Sequence, residues 1–313
     1  MDTNLLNEVI ECLPKDKTHF RYFEGAYAPK LLALLMPQEV LIADAKKSSY
    51  AKLLQTKLLK PLIAHSGDGR LRKEQVSSVW QEPSLPFLLS ASRWDGRKDW
   101  KWNQVSRRGE NLVLQLNLPK QHERLFRQWL APKDEYSFNW SYGHPVQRKK
   151  SSATFFRETL AWARIDLDFD NNEALIEEVQ SDGARKMQSL AKRFMACGCR
   201  KCQQRMNYIH WFNPYGKLWS EAMLMATVEF LKNEIGVEHI YMHTDRSGWK
   251  LKHMSEDCKA PKSLYSVLPK KFVFKRICGA PLFLRETKQY QKLIKTHPDI
   301  DFHYLSLTHK VAA

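Results

Sequence analysis

The sequence predicts a mixed α/β fold: an α/β unit with a mixed sheet over residues 153–313, preceded by an α+β region of no obvious type over 1–145. Three observations lead there. Arg164–Phe169 and Ala174–Gln180 alternate apolar and polar residues around Asp170-Asn-Asn-Glu173, the pattern of a β-hairpin. Two stretches of helical period follow, and then Val237–Thr244 reads as a strand again. A strand that returns after helices rejoins the same sheet.

Taken in order, Leu31–Leu35 and Ala51–Lys60 read as helices, the second stopped by Pro61. Asn111–Asn117 alternates as a strand, and Lys120–Leu130 has helical character. Gly143-His-Pro-Val-Gln-Arg-Lys-Lys-Ser-Ser152 interrupts the apolar pattern and marks the boundary between the two parts. After the hairpin, Met187, Leu190, Ala191 and Phe194 form one helical face, with Arg185, Lys186, Lys192 and Arg193 outside it. Ser181 or Asp182 is placed to cap that helix. Between it and the next helix, expected from about Leu218 to Asn233 and ended by Gly236, lies an inserted cysteine-rich loop. Ser263–Leu268 closes at Pro269 as a short helix, and Lys271–Ile277 follows as a strand.

Fifty Lys and Arg against 34 Asp and Glu give a formal charge of +16, with an excess in both halves of the chain. A field of that sign favours nucleic acid, DNA or RNA, a phosphorylated cofactor or an anionic surface. No apolar run approaches the roughly 20 residues that cross a bilayer, and Met1-Asp-Thr-Asn4 lacks the layout of a signal peptide, so a cytoplasmic protein without a membrane partner is expected. Gly-rich phosphate loops of the Walker or dinucleotide type are absent, as is a Gly-x-Ser-x-Gly elbow.

Ala174–Asp182 places two carboxylates, Glu177 and Glu178, inside a strand whose other residues call for burial. Alternation puts one on each face, so one faces a cleft and the other needs a basic partner. Cys197, Cys199 and Cys202, with His210 further on, offer thiolate and imidazole ligands for zinc, with Cys258 or His243 as alternative fourth ligands. His239, Tyr241 and His243 share a strand face that ends at Asp245, where His243 is a candidate general base. Asn213-Pro-Tyr-Gly-Lys217, read as a helix start, offers Asn213, Gly216 and Lys217 to a pyrophosphate. Basic and aromatic residues interleave at Arg93, Arg97, Lys98, Trp100, Lys101 and Trp102, followed by Arg107 and Arg108, a composition suited to phosphates and bases.

Phe156–Leu160 with Leu175–Asp182, and then Trp219–Thr244, resemble an uncharacterised domain of large phage and prophage polyvalent proteins, whose strand ends Ile-Glu-Glu-Ile-Gln-Ser-Asp-Trp; Gly183 stands here in place of that Trp. The order of elements from Ile165 to Ile277 is similar to the GNAT acyltransferase fold. In that resemblance Asn213–Leu218 takes the place of the acyl-CoA pyrophosphate loop, with one of its glycines kept, and Leu264-Tyr265 matches the family's Leu-Tyr segment. It implies acetyl-CoA as donor, Glu177 or Glu178 as base and Tyr265 as acid towards the leaving thiolate. The other readings are a zinc-stabilised nucleic-acid-binding protein without catalysis, and a hydrolase or transferase using His243 and Asp245 on a nucleotide.

Overall fold

A single large sheet organises the described residues, with helices packed on both of its faces. In the computed structural model, which describes residues 1–13, 18–94, 104–130, 158–252 and 261–308, eight strands form one open mixed sheet. The elements are α1 (Thr3–Cys12), β1 (Thr18–Tyr22), α2 (Tyr27–Leu35), β2 (Glu39–Leu41), α3 (Ile42–Ala45), α4 (Leu59–Ala64), β3 (Arg70–Arg72), α5 (Lys73–Ser77), β4 (Leu85–Trp94), β5 (Asn111–Asn117) and α6 (Lys120–Trp129). They continue with β6 (Thr159–Asp168), β7 (Glu173–Gln180), α7 (Asp182–Cys197), α8 (Arg200–Phe230), β8 (His239–His243), α9 (Asp245–Leu251), α10 (Lys262–Lys271), β9 (Lys275–Cys278), α11 (Leu282–Arg285), α12 (Lys288–Thr296) and β10 (Asp301–Ser306).

The sheet runs β1-β4-β5-β6-β7-β8-β10-β9, and β2 pairs with β3 apart from it. Neighbouring strands are antiparallel except for β7 and β8, whose connection through α7 and α8 brings the chain back in the same direction. The division expected near residues 145–153 does not divide the sheet: β5 pairs with β6, and one apolar core contains Leu32, Phe87, Leu114, Ile165 and Met223 together. On one face α2, α7 and α8 cover the sheet. On the other, Leu175, Tyr241 and Phe302 pack with Leu251, Phe283, Leu284 and Tyr290, contributed by α9, α11 and α12.

Ser181 caps α7, accepting a hydrogen bond from the Ala184 N–H at 3.0 Å, so the cap was legible. Four expectations are corrected. The residues read as a cysteine-rich loop are the last turn of α7, a tight turn at Gly198 with φ +63°, and the start of α8. Helix α8 does not begin near Leu218; it runs unbroken past Pro214 because Tyr208, Ile209, Phe212, Tyr215 and Leu218 continue one buried stripe across that point. Pro61 falls inside the first turn of α4, where no intrahelical N–H is needed, and so does not stop a helix. Last, residues 271–274 close α10 instead of starting the strand expected from Lys271, and β9 begins at Lys275. Among the described residues no helix is long and apolar enough to cross a membrane.

Candidate functional site

Among the described residues β7 and β8 are the one parallel pair of the sheet, and β7 outruns its pairing with β8. β7 and β8 are in register from Glu173 opposite His239 to Ile176 opposite Met242, and the pairing goes no further although β7 continues to Gln180. The cause lies on the other edge of β7. Its register with β6 slips between Arg164 opposite Glu178 and Ile165 opposite Ile176, so Glu177 is the extra residue of a β-bulge. A slip of one residue exchanges the faces of everything beyond it. Accordingly Val179 joins the core that holds Ala174 and Ile176, where strict alternation would have placed it with Leu175.

Glu177 is sealed within this opening. Its carboxylate accepts the Ser106 N–H at 2.9 Å and the Ser106 hydroxyl at 2.8 Å, and its Oε2 lies 3.1 Å from His243 Nε2. Ser106 Oγ is also 2.8 Å from that nitrogen. On the far side of the ring, Nδ1 is 3.1 Å from Ser247 Oγ, which takes the Thr244 N–H. A neutral imidazole with its proton on Nε2 satisfies the whole set: it donates towards Ser106 and Glu177 and accepts from Ser247. Burial drives the His243 pKa below its ordinary value against the pull of Glu177. Burial would raise the Glu177 carboxyl, but hydrogen bonding and charge from His243, then Lys252 and Arg164, bring it down to about 2. The pair is therefore a carboxylate beside a neutral ring.

Glu178 faces the opening instead. Arg164, directly opposite on β6 and fully buried, holds its Oε2 through Nε at 2.9 Å and Nη2 at 2.7 Å. The guanidinium also donates to the Gln104 carbonyl at 3.0 Å and lies 4.4 Å from the Trp94 ring centroid. Alternation had offered either a cleft position or a basic partner to each carboxylate; Glu178 has both. It lines a cleft of about 330 Å³ with Asp245, Arg246, Trp249, Lys250, Lys252, Lys262 and Tyr265. Tyr265, on α10, is buried deeply enough to push its phenol well above the ordinary tyrosine value, and the carboxylates Glu178 and Glu177 add to the shift.

No family model, curated protein or solved structure matches this chain.

Sequence reading missed Lys252, Ser106 and Arg164. Lys252 follows the last turn of α9, only 4% exposed, and its ammonium donates to the Glu177 carbonyl, which has left the β7–β8 ladder. Its own neighbours in sequence, Trp249-Lys-Leu, give no hint of burial. Ser106 and Arg107 belong to a segment that had been read for its charge. In the structure this segment lies across the sheet: the Gln104 carbonyl accepts from Arg164, Ser106 donates to Glu177, and Arg107 binds Asp166 at 2.6 and 3.0 Å.

That arrangement corrects part of the expected nucleic-acid surface. Arg107 spends its fork on Asp166 and packs 4.1 Å from the Phe283 ring, and Arg93 is half-buried with its guanidinium on Asn7. Arg108 is exposed; Arg97, Lys98, Trp100, Lys101 and Trp102 lie outside the described residues. The expected pyrophosphate loop is also displaced. Asn213, Gly216 and Lys217 stand in the middle of α8, where N–H groups are turned into the helix, and Lys217 pairs with Glu24 at 2.9 Å. A Cβ on Gly216 would come within 2.9 Å of the Phe212 ring, so this glycine serves helix packing.

The sulfur atoms of Cys197, Cys199 and Cys202 lie within 4.8 Å of one another at the tip of the α7–α8 pair. Tetrahedral zinc with bonds near 2.3 Å sets sulfurs roughly 3.8 Å apart, so a small closure would let them hold such an ion. Cys199 caps α8, its Sγ accepting the Cys202 N–H at 3.4 Å; that bond, with contacts to Cys197 and Cys202, lowers its thiol to about 7. Hydrogen bonds from Cys197 and Cys199 push the Cys202 thiol up to about 12. His210 cannot join them: eight residues along a helix rising 1.5 Å per residue place it about 12 Å beyond Cys202. His243 is committed to the Glu177 network, and Cys258 lies outside the described residues.

Two outcomes follow. Arg164→Met, which leaves Glu178 buried without its guanidinium, should cost roughly 3–5 kcal/mol in urea unfolding, and adding Glu178→Leu should restore most of that loss. Elemental analysis of chain purified without chelator should find zinc that Cys199→Ser and Cys202→Ser remove and His210→Ala does not.

Proposed function

We propose that the opening between β7 and β8 admits an acyl thioester and that the protein transfers its acyl group to an amine. The observation that carries this reading is the loss of pairing beyond Ile176 and Met242, at the one parallel contact of the sheet, directly beside Glu178 and Tyr265. Ligands of open α/β sheets gather at the carboxyl ends of parallel strands, and this cleft is such a place. The succession of β5, β6 and β7, a helical pair, β8, α9, α10 and β9, with β10 returning through α11 and α12 to lie between β8 and β9, supports the GNAT-like reading of the fold.

The roles then divide by environment. Glu178, kept ionised beside Arg164, accepts the proton of the attacking amine. Burial keeps Tyr265 a phenol, placed to hydrogen-bond the departing thiolate and to pass it a proton that solvent resupplies. Arg246, Lys250 and Lys262 line the rim and suit the phosphates of acetyl-CoA, the part assigned from sequence to Asn213, Gly216 and Lys217. Glu177 and His243 hold the strands apart and do not face the substrate.

A second reading has its own support. Around the cysteine tip, Lys192, Arg193, Arg200 and Lys201 are all exposed, a cationic end to the α7–α8 pair that suits the backbone of DNA or RNA. In this form the protein acts on or with nucleic acid in the phage or mobile-element setting suggested by the Ile-Glu-Glu strand, with zinc holding the tip.

Calorimetry with acetyl-CoA should give saturable heat that Lys262→Glu and Arg246→Glu weaken on the order of tenfold together, since each removes and reverses a rim charge. Absence of heat with the unaltered chain sinks the acyltransferase reading. For the second reading, Arg193→Glu with Lys201→Glu should flatten the salt dependence of nucleic-acid binding by about two phosphate contacts; binding that ignores both changes rejects it.

A further inference from the structure

Lys252 has no part in the chemistry just described, yet it lines the same cleft as Glu178 and Tyr265. Among the rim cations Arg246 is paired with Asp299 at 2.6 Å and Lys250 meets His297, both towards solvent. Lys252 points the other way, into the wedge, where the Glu177 carbonyl receives its Nζ and Glu178 and Tyr265 line the same cavity. Burial depresses its pKa from the ordinary lysine value, with Arg164 helping and Glu178 and Glu177 opposing. A buried amine of this kind carries its lone pair at a larger fraction of the time than a solvated lysine does.

We propose that Lys252 is itself an acyl acceptor, modified on Nζ by the thioester that enters the cleft. The proposal rests on the acyl-thioester reading of that cleft and adds to it a covalent state of this chain. In the step, the neutral Nζ attacks the thioester carbonyl carbon; the new N–C bond forms and the C–S bond breaks. One amine proton passes to Glu178, and the thiolate leaves as a thiol with a proton from Tyr265, which solvent replaces. The products are an amide on Lys252 and the free thiol, so no oxidant or further reactant is required.

The amide changes the cleft in two ways. Its remaining N–H still donates to the Glu177 carbonyl, so the opened strand keeps its partner. The positive charge beside Glu178 and Glu177 is gone, and the acyl group occupies volume in a cleft of about 330 Å³. Acylated chain should therefore take up a second donor molecule poorly, which makes the modification a brake on the cleft's own turnover.

The full-length chain incubated with acetyl-CoA and followed by intact mass and peptide mapping tests this. The expected result is one acetyl group per chain, mapped to Lys252, accumulating faster as pH rises, and absent from Lys252→Arg. Glu178→Gln should slow it on the order of 100-fold, the usual loss when a general base is removed. Lys288→Arg, at an exposed lysine outside the cleft, should still be modified at Lys252. If calorimetry shows acetyl-CoA binding while acetyl groups collect on exposed lysines and Lys252 stays unmodified, the inference is overturned and the acyl-thioester reading survives. If neither binding nor modification is found, both fall. Should Lys252→Arg unfold, Lys252→Gln, which retains an amide donor for the Glu177 carbonyl, gives the same comparison.

Discussion

The extra residue at Glu177 is the constraint on which the rest of the structure depends. A strand in the middle of a sheet is normally held on both edges, and β7 is held on both only as far as Ile176. The bulge turns the next side chains over, so that a sequence which alternates without interruption delivers two adjacent carboxylates to buried positions with different surroundings. One is locked against a histidine and a serine; the other faces a cavity. Without the slip, Glu178 would point into the apolar layer under α7 and α8, where no guanidinium waits for it.

The opening is kept by charges that have little access to water. Arg164 and Lys252 stand against Glu177 and Glu178, a balanced set in which the removal of any one member leaves a buried charge in excess. Such a set is a poor source of stability compared with aliphatic packing, because desolvation offsets most of the attraction. It does resist closure: the strands cannot come together without forcing the ammonium of Lys252 or the imidazole of His243 out of its hydrogen bonds. The same groups that cost stability hold the cavity in its shape, and a pre-formed cavity with a few fixed polar groups selects ligands that match them.

Much of this was legible from residues that are close in sequence. The hairpin of β6 and β7, the Ser181 cap and the grouping of three cysteines depend on local pattern, and local pattern survived. What sequence reading missed is decided between distant segments. A bulge is defined by the partner strand, here by Arg164 meeting Glu178, and no period within β7 announces it. Pro214 and Gly216 look like a break until the aromatic stripe from Tyr208 to Leu218 is seen to be buried on both sides of them. His210 was grouped with the cysteines by count along the chain, whereas an unbroken helix carries it away. Lys252 is the extreme case, since its role comes wholly from the carbonyl of a residue 75 positions earlier.

The placement of β10 has a consequence for how the molecule is made. From β4 to β8 the order in the sheet follows the order in the chain, so each new strand can add to the edge left by the one before it as synthesis proceeds. β9 breaks that progression, because its place is beyond β10 and has no neighbour until residues 301–306 have emerged. Asp301, the first residue of that late strand, then receives the Thr244 hydroxyl on both its carbonyl and its carboxylate, and Thr244 positions the serine that orients the His243 ring. The polar interior beside the cavity is thus completed by the last strand to arrive, and a nascent chain short of it carries an exposed sheet edge at β8 and an imidazole without its final support.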